Sequence, residues 1–125
     1  MQQIFTALAP KAIGPYSQSI RTGNLLYCSG QTPLNPATMK IEADTIEERT
    51  KRVIENLKLV LQEAGLELNN VVKTNIFLSD MELFSGMNDM YAECFGDHRP
   101  ARSTVAVKGL PYNAVVEIEC IAEFY

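Results

Sequence analysis

The sequence predicts an α+β fold in which two amphipathic helices cover one face of a sheet. Three observations predict it. A turn signal, Thr22-Gly23-Asn24, joins two early apolar segments. Two stretches with helical spacing of apolar residues flank a strand-like run at 71–78. The last segment, Val115 to Phe124, alternates apolar and mostly acidic residues. The 125 residues suit a single domain, 1–125, and 46% hydrophobic residues suffice for a core.

Tyr16 to Arg21 and Leu25 to Gly30 read as two hairpin strands across that turn. Thr32-Pro33-Leu34-Asn35-Pro36 follows as a proline-punctuated loop, and Met39-Lys40-Ile41 offers a short edge pairing. Asp44 or Thr45 opens a helix through a capping box with Glu47 or Glu48. Ile46, Val53, Leu57, Val60, Leu61 and Ala64 recur at helical spacing, and Gly65 is the expected C′ residue. Val71 to Leu78 forms the next strand, with Val72, Thr74, Ile76 and Leu78 on one face and Val71, Lys73, Asn75 and Phe77 on the other. Asp80 caps a second helix of about Leu83 to Phe95, whose stripe is Phe84, Met87, Tyr91 and Phe95. Ser103 to Val107 and Val115 to Phe124 complete the sheet across the connection Gly109 to Asn113. Val116, Ile118, Cys120, Ala122 and Phe124 face the helices, whereas Glu117, Glu119, Ile121 and Glu123 face away. Two helices cover one sheet face only, so apolar residues on both faces point to oligomerisation.

Composition narrows the function. The net charge of −4 and the scattered basic residues disfavour nucleic acid as the main partner. No apolar run approaches the ~18 residues that span a bilayer. Neither a secretory signal nor a transit peptide is recognisable at the start, so the expected location is cytoplasmic; a processed mitochondrial chain would look the same. The three cysteines, Cys28, Cys94 and Cys120, show no CxxC spacing and read as buried thiols in a reducing compartment. With a single histidine, His98, neither a zinc site nor a Cys94–His98 dyad is favoured. No GxGxxG or Walker-type loop is present.

The residues with most chemical content are Arg102 and Glu117. Pro100 biases Arg99 away from helix, so an extended segment begins near Arg102. Antiparallel pairing of this strand with the Glu117 strand could bring the two side chains into one neighbourhood. A guanidinium fork reads a carboxylate bidentately, and a Glu in a partly dry cleft can serve as a base toward water. The same two residues also fit a cross-strand ion pair on a solvated face, the commoner arrangement. Asn88 lies one helical turn after Phe84. Tyr16 follows the Gly14-Pro15 turn, Ser29-Gly30 ends a strand, and Thr104 shares a strand face with Arg102. Each has an ordinary structural explanation when taken singly.

As an ordered set these residues resemble the Rid/YjgF family, the reactive intermediate (imine/enamine) deaminases. The segments that carry the resemblance are Ala12-Ile13-Gly14-Pro15-Tyr16-Ser17-Gln18 and Ser29-Gly30-Gln31-Thr32-Pro33-Leu34-Asn35-Pro36. Val72 to Leu78, Met87-Asn88-Asp89-Met90-Tyr91, Pro100-Ala101-Arg102-Ser103 and Val116-Glu117-Ile118-Glu119 continue it. It runs from about residue 4 to the C-terminus.

The resemblance implies a chorismate-mutase-like subunit, a mostly antiparallel mixed sheet with two helices on one face, assembled as a homotrimer with clefts between subunits. It implies that Arg102 binds the carboxylate of a 2-imino or 2-oxo acid and that Glu117 positions or deprotonates water. Tyr16, Ser29, Gly30 and Asn88 would line the cleft, with Thr104 where many members carry cysteine. No cofactor or metal is implied, because an imine carbon is already electrophilic. The expected reaction is hydrolysis of 2-imino acids, such as 2-iminopropanoate from 2-aminoacrylate, to 2-oxo acids and ammonia. A non-catalytic carboxylate-binding module would keep Arg102 and need no base. A translation-inhibitor or ribonuclease role fits the acidic balance poorly, and a chaperone-like role leaves no mark in the sequence.

Overall fold

The computed structural model describes residues 1–125. Strands β1 (Gln2–Ile4), β2 (Ser19–Thr22), β3 (Leu25–Gln31), β6 (Val71–Leu78), β7 (Ala101–Ala106) and β8 (Val116–Glu123) form one mixed sheet in the order β1-β2-β3-β8-β6-β7. A separate small hairpin pairs β4 (Leu34–Asn35) with β5 (Lys40–Ile41). Helices α1 (Ile46–Glu63) and α2 (Phe84–Phe95) pack together against the sheet. This is the α+β architecture that the sequence predicts, two helices on a mixed sheet.

Local chemistry explains the helix ends. The Thr45 hydroxyl accepts from the Glu48 amide at 3.1 Å and caps α1. At the other end Leu66 N–H reaches the Leu61 carbonyl and Gly65 N–H that of Gln62, a Schellman closure with Gly65 at φ +78°. Val53, Ile54, Leu57, Val60 and Leu61 of α1 are buried, each stabilising the fold by roughly 1.5–3 kcal/mol. Asp80 caps a short 3₁₀ turn, Met81–Leu83, that runs on into α2. From α2, Met87, Tyr91 and Phe95 enter the core. Gly86 permits the close helix crossing, since a methyl there would lie 2.5 Å from Ile46 Cγ2.

Several boundaries and faces differ from the sequence reading. The strand expected from Tyr16 begins at Ser19. Gln18 instead accepts from the Thr6 amide (2.8 Å) and donates to the Thr6 and Pro10 carbonyls (3.1 and 2.9 Å), pinning the N-terminal loop. Residues 2–4 form an edge strand that no alternation announces. In β6 a register shift between Val71 and Lys73 leaves Val71 buried and Val72 exposed, opposite to strict alternation. Cys94 is only half-buried, whereas Cys28 and Cys120 are buried and paired across β3 and β8.

The largest correction concerns strand pairing. β7 and β8 are not neighbours. The α2 crossover returns the chain parallel to β6, so β7 takes the outer side of that strand. β8 inserts between β3 and β6, antiparallel to both. Its helix-facing side, Val116, Ile118, Cys120 and Ala122, is at most 3% exposed. A strand so fully apolar on one face belongs at the sheet centre, whereas β7, exposed or half-exposed throughout, tolerates the edge.

Candidate functional site

The register separates the two residues expected together. Arg102 stands beside Thr74 of β6, and Glu117 stands beside Phe77. Two strand spacings and three residues put their Cα atoms roughly 14 Å apart. They also point to opposite faces. Thr74 is buried and bonds Tyr91 of α2, so Arg102 is on the helix side. Glu117 alternates with buried Val116 and Ile118 and is on the open side. Within one chain the expected cross-strand neighbourhood does not form.

Glu117 lies at a cavity of about 400 Å³ on the open face. Tyr16, Ser29, Gly30, Gln31 and Tyr112 share its lining. The β3 irregularity between Cys28 and Gln31 brings Gly30 under the Glu117 carboxyl. A methyl on Gly30 would sit 2.5 Å from Glu117 Oε2, so glycine is required for this approach. The Ser29 hydroxyl donates to the Ser17 carbonyl at 2.6 Å, tying β3 to the loop that carries Tyr16. Burial raises the Glu117 pKa above the ordinary carboxyl value, and the neighbouring Glu119 carboxylate raises it further. Glu119 accepts from the Asn75 amide at 3.0 Å. A carboxyl held this way is poised to take a proton.

Arg102 occupies a notch at the β7–α2 edge with Asn88, Tyr91, Ala92, Arg99 and Pro100. No acid lines it. The guanidinium carbon lies 4.9 Å from the Tyr91 ring centre and 5.6 Å from that of Phe84. Aromatic faces hold the cation without occupying its N–H donors. Tyr91 is fixed by its 2.8 Å hydrogen bond with Thr74 and by stacking on Phe95. Burial raises its phenol pKa, against the lowering effects of the Thr74 bond and Arg102. Thr104 shares this face beside Ile76, and its hydroxyl oxygen is buried without a hydrogen-bond partner. Asn88 is half-buried on the same notch.

The sequence reading thus names most of both clusters. It expects them around one cleft; the structure puts Arg102, Asn88 and Thr104 on the helix side and Glu117, Tyr16, Ser29 and Gly30 at the open-face cavity. It misses Tyr91 as the seat of Arg102, because a tyrosine at helical spacing reads as core. It also misses Tyr112, which stands in a connecting turn. His98, the one histidine, bonds the Val71 carbonyl through Nε2 at 2.7 Å. No group of three or more His, Cys, Asp and Glu converges where a metal could bind. No helix is long and apolar enough to cross a membrane.

The chain is thus a small α+β protein with a carboxyl of raised pKa on one sheet face and an unpaired guanidinium on the other. The profile of the Endoribonuclease L-PSP family matches residues 6–124. A RutC family protein of Pyrococcus abyssi is 50% identical over 119 residues, 95% of this chain and 94% of that one. Reactive Intermediate Deaminase A, chloroplastic, of Arabidopsis thaliana is 44% identical over 119 residues, 95% of this chain and 64% of that one. The crystal structure of E. coli TdcF with bound serine superposes with a TM-score of 0.95 at 36% identity, covering 100% of both chains. The chain belongs to the Rid family, to which the L-PSP description applies.

Proposed function

We propose that the protein hydrolyses 2-imino acids to 2-oxo acids and ammonia at clefts between the subunits of a homotrimer. The observation that carries this reading is the split site. The Arg102 notch has two cations, Arg99 and Arg102, and no acid, whereas the Glu117 cavity has two carboxylates against one cation, Lys11, at its wall. Opposite charge favours docking of one subunit's notch on the next subunit's cavity. Family membership and a relative named for reactive intermediate deamination support the chemistry. Serine bound to TdcF shows a carboxylate-bearing ligand in a related structure.

Arg102 clamps the substrate carboxylate with its free N–H fork, Asn88 bounds the notch, and the unpartnered Thr104 hydroxyl offers one more polar contact. Glu117 accepts a proton from water while the water oxygen attacks the imine carbon and the nitrogen takes up a proton from solvent, giving the carbinolamine. Glu117 then returns its proton to the nitrogen, the C–N bond breaks with loss of ammonia, and the hydroxyl proton passes to solvent as the 2-oxo acid forms. Positioning plus one general base supplies the acceleration needed for a bond that already hydrolyses readily. Arg102 stays protonated and cannot be the base.

Release of 2-oxo acid from enzymatically generated imino acids tests the reaction. Mixing subunits tests the split site. Arg102→Ala and Glu117→Gln preparations, each inactive, should regain activity when dissociated together and reassembled, because some clefts then hold both native residues. No recovery would mean that a working cleft does not combine Arg102 of one subunit with Glu117 of the next, and would overturn the split site. Light scattering should give three 13.9 kDa subunits at micromolar concentration, and a monomer mass would sink the assembly. A second reading, a carboxylate-binding module without turnover, rests on the same Arg102 notch; it predicts ligand binding with no rate enhancement.

A further inference from the structure

Tyr112 stands where few tyrosines stand. Its backbone is left-handed, φ +62° and ψ +20°, and Asn113 follows at φ +53°. Asparagine visits this region readily; a bulky aromatic rarely does. The turn itself needs no side chain, since Pro111 and the bond from Ala114 N–H to the Pro111 carbonyl at 3.1 Å already close it. The ring does not reach the core and remains half-exposed. It lines the cavity that holds Glu117, with Ile13 and Tyr16, both also exposed. Local strain kept in a cavity wall is the pattern of a ligand contact.

The lining points the same way: Ile13 stands beside the two tyrosines at the cavity wall. With the substrate carboxylate on Arg102 of a neighbouring subunit and its imine carbon near Glu117, apolar surface is left for the substrate side chain.

We infer that Tyr112 is a specificity-determining residue that, with Ile13 and Tyr16, selects 2-imino acids bearing branched aliphatic or aromatic side chains over the smallest ones. The inference rests on the deaminase reading of the same cavity. The ring supplies an apolar wall that a large side chain covers and a methyl group does not reach.

The test compares kcat/KM for imino acids generated by an amino-acid oxidase from leucine, phenylalanine and alanine, on the parent, Tyr112→Gly and Tyr112→Phe. The parent should prefer the two larger imines. Tyr112→Gly should cut that preference roughly tenfold, the scale of a lost apolar contact in a pocket, and Tyr112→Phe should keep it. Glycine relieves the left-handed backbone, so its melting temperature should not fall. An unchanged preference in Tyr112→Gly overturns the assignment, as does a change in assembly mass, which would make the ring an interface contact. If the parent turns over no imine, the deaminase reading fails by itself. Calorimetry with 4-methyl-2-oxopentanoate and pyruvate then decides. A preference for the former that Tyr112→Gly abolishes upholds the role of the ring, and equal or absent binding overturns it.

Discussion

The Glu117 cavity and the Arg102 notch solve opposite problems. At Glu117 the backbone must come close: Gly30 has no side chain, so the carboxyl lies against the strand, half-buried beside a second acid. At Arg102 nothing of opposite charge approaches, and two aromatic rings hold the cation. The first arrangement disfavours charge and so makes a base. The second preserves charge and leaves every donor free. Pairing the two within one chain would cancel both properties, since an ion pair would lower the carboxyl pKa and occupy the guanidinium. Separation on opposite sheet faces leaves the carboxyl pKa raised and the guanidinium unpaired within the chain.

The strongest way to break the comparison is Glu117→Gln. The amide keeps the shape and removes the base, so kcat for imine hydrolysis should fall by about 10²–10⁴-fold while 2-oxo acid affinity persists. Near-parental kcat would remove Glu117 from the chemistry. Stability should move the other way. A raised carboxyl pKa means that the fold prefers the neutral form. That contribution is fully present below the ordinary carboxyl pKa and is lost as pH rises through the raised value. The always-neutral glutamine should therefore melt at the same temperature as the parent or higher at neutral pH, the gap closing as pH falls.

Arg102→Ala comes next. Truncating one member of a charged, hydrogen-bonded contact costs about 2–5 kcal/mol of binding, read as the dissociation constant for a 2-oxo acid. Arg102→Lys should rescue poorly, because an ammonium lacks the fork. Parental affinity in the lysine variant would contradict a bidentate clamp.

Gly30→Ala should lower kcat by about 10²-fold, the cost of displacing a catalytic group by an ångström or so. The methyl must push the Glu117 carboxyl aside or shift the strand. Circular dichroism should report an intact fold, and undiminished kcat would mean that the contact with Gly30 does not position the base.

The pH profile of kcat/KM sharpens the same half-site. Activity should fall as pH drops through the Glu117 pKa, with the inflection above the ordinary value of about 4.3 because burial and Glu119 oppose ionisation. Glu119→Gln should shift the inflection downward, since it removes the like charge.

The smallest effect belongs to the seat of Arg102. Tyr91→Leu should weaken 2-oxo acid binding by about 0.5–2 kcal/mol through the lost cation–π contact, and Tyr91→Phe should restore it. The phenylalanine variant still loses the Thr74 hydrogen bond, which stabilises by about 1 kcal/mol in a melting curve. If leucine and phenylalanine bind equally, the ring does not hold the guanidinium.

By itself the sequence determined both helices, most strands and most of the candidate site residues. Capping chemistry at Thr45, the glycine at 65 and the apolar periods of α1, α2 and β8 are local signals, legible because helix and strand periods are set by neighbouring residues. Arg102, Glu117, Gly30, Asn88 and Thr104 stood out through the order of their segments. Only the tertiary structure decided which strands are neighbours, and so which reactive residues meet. Strand pairing is a long-range choice. α2 sends β7 to the outside of β6, and the apolar face of β8 draws it to the sheet centre. That exchange of places holds Arg102 and Glu117 two strands apart, and the register with Thr74 and Phe77 turns them to opposite faces. Nor could alternation show the bulge that exposes Val72, the aromatic seat of Arg102, or the left-handed turn that holds Tyr112 at the cavity wall. The first two depend on contacts between segments far apart in the chain, and the third on a backbone conformation that no period encodes.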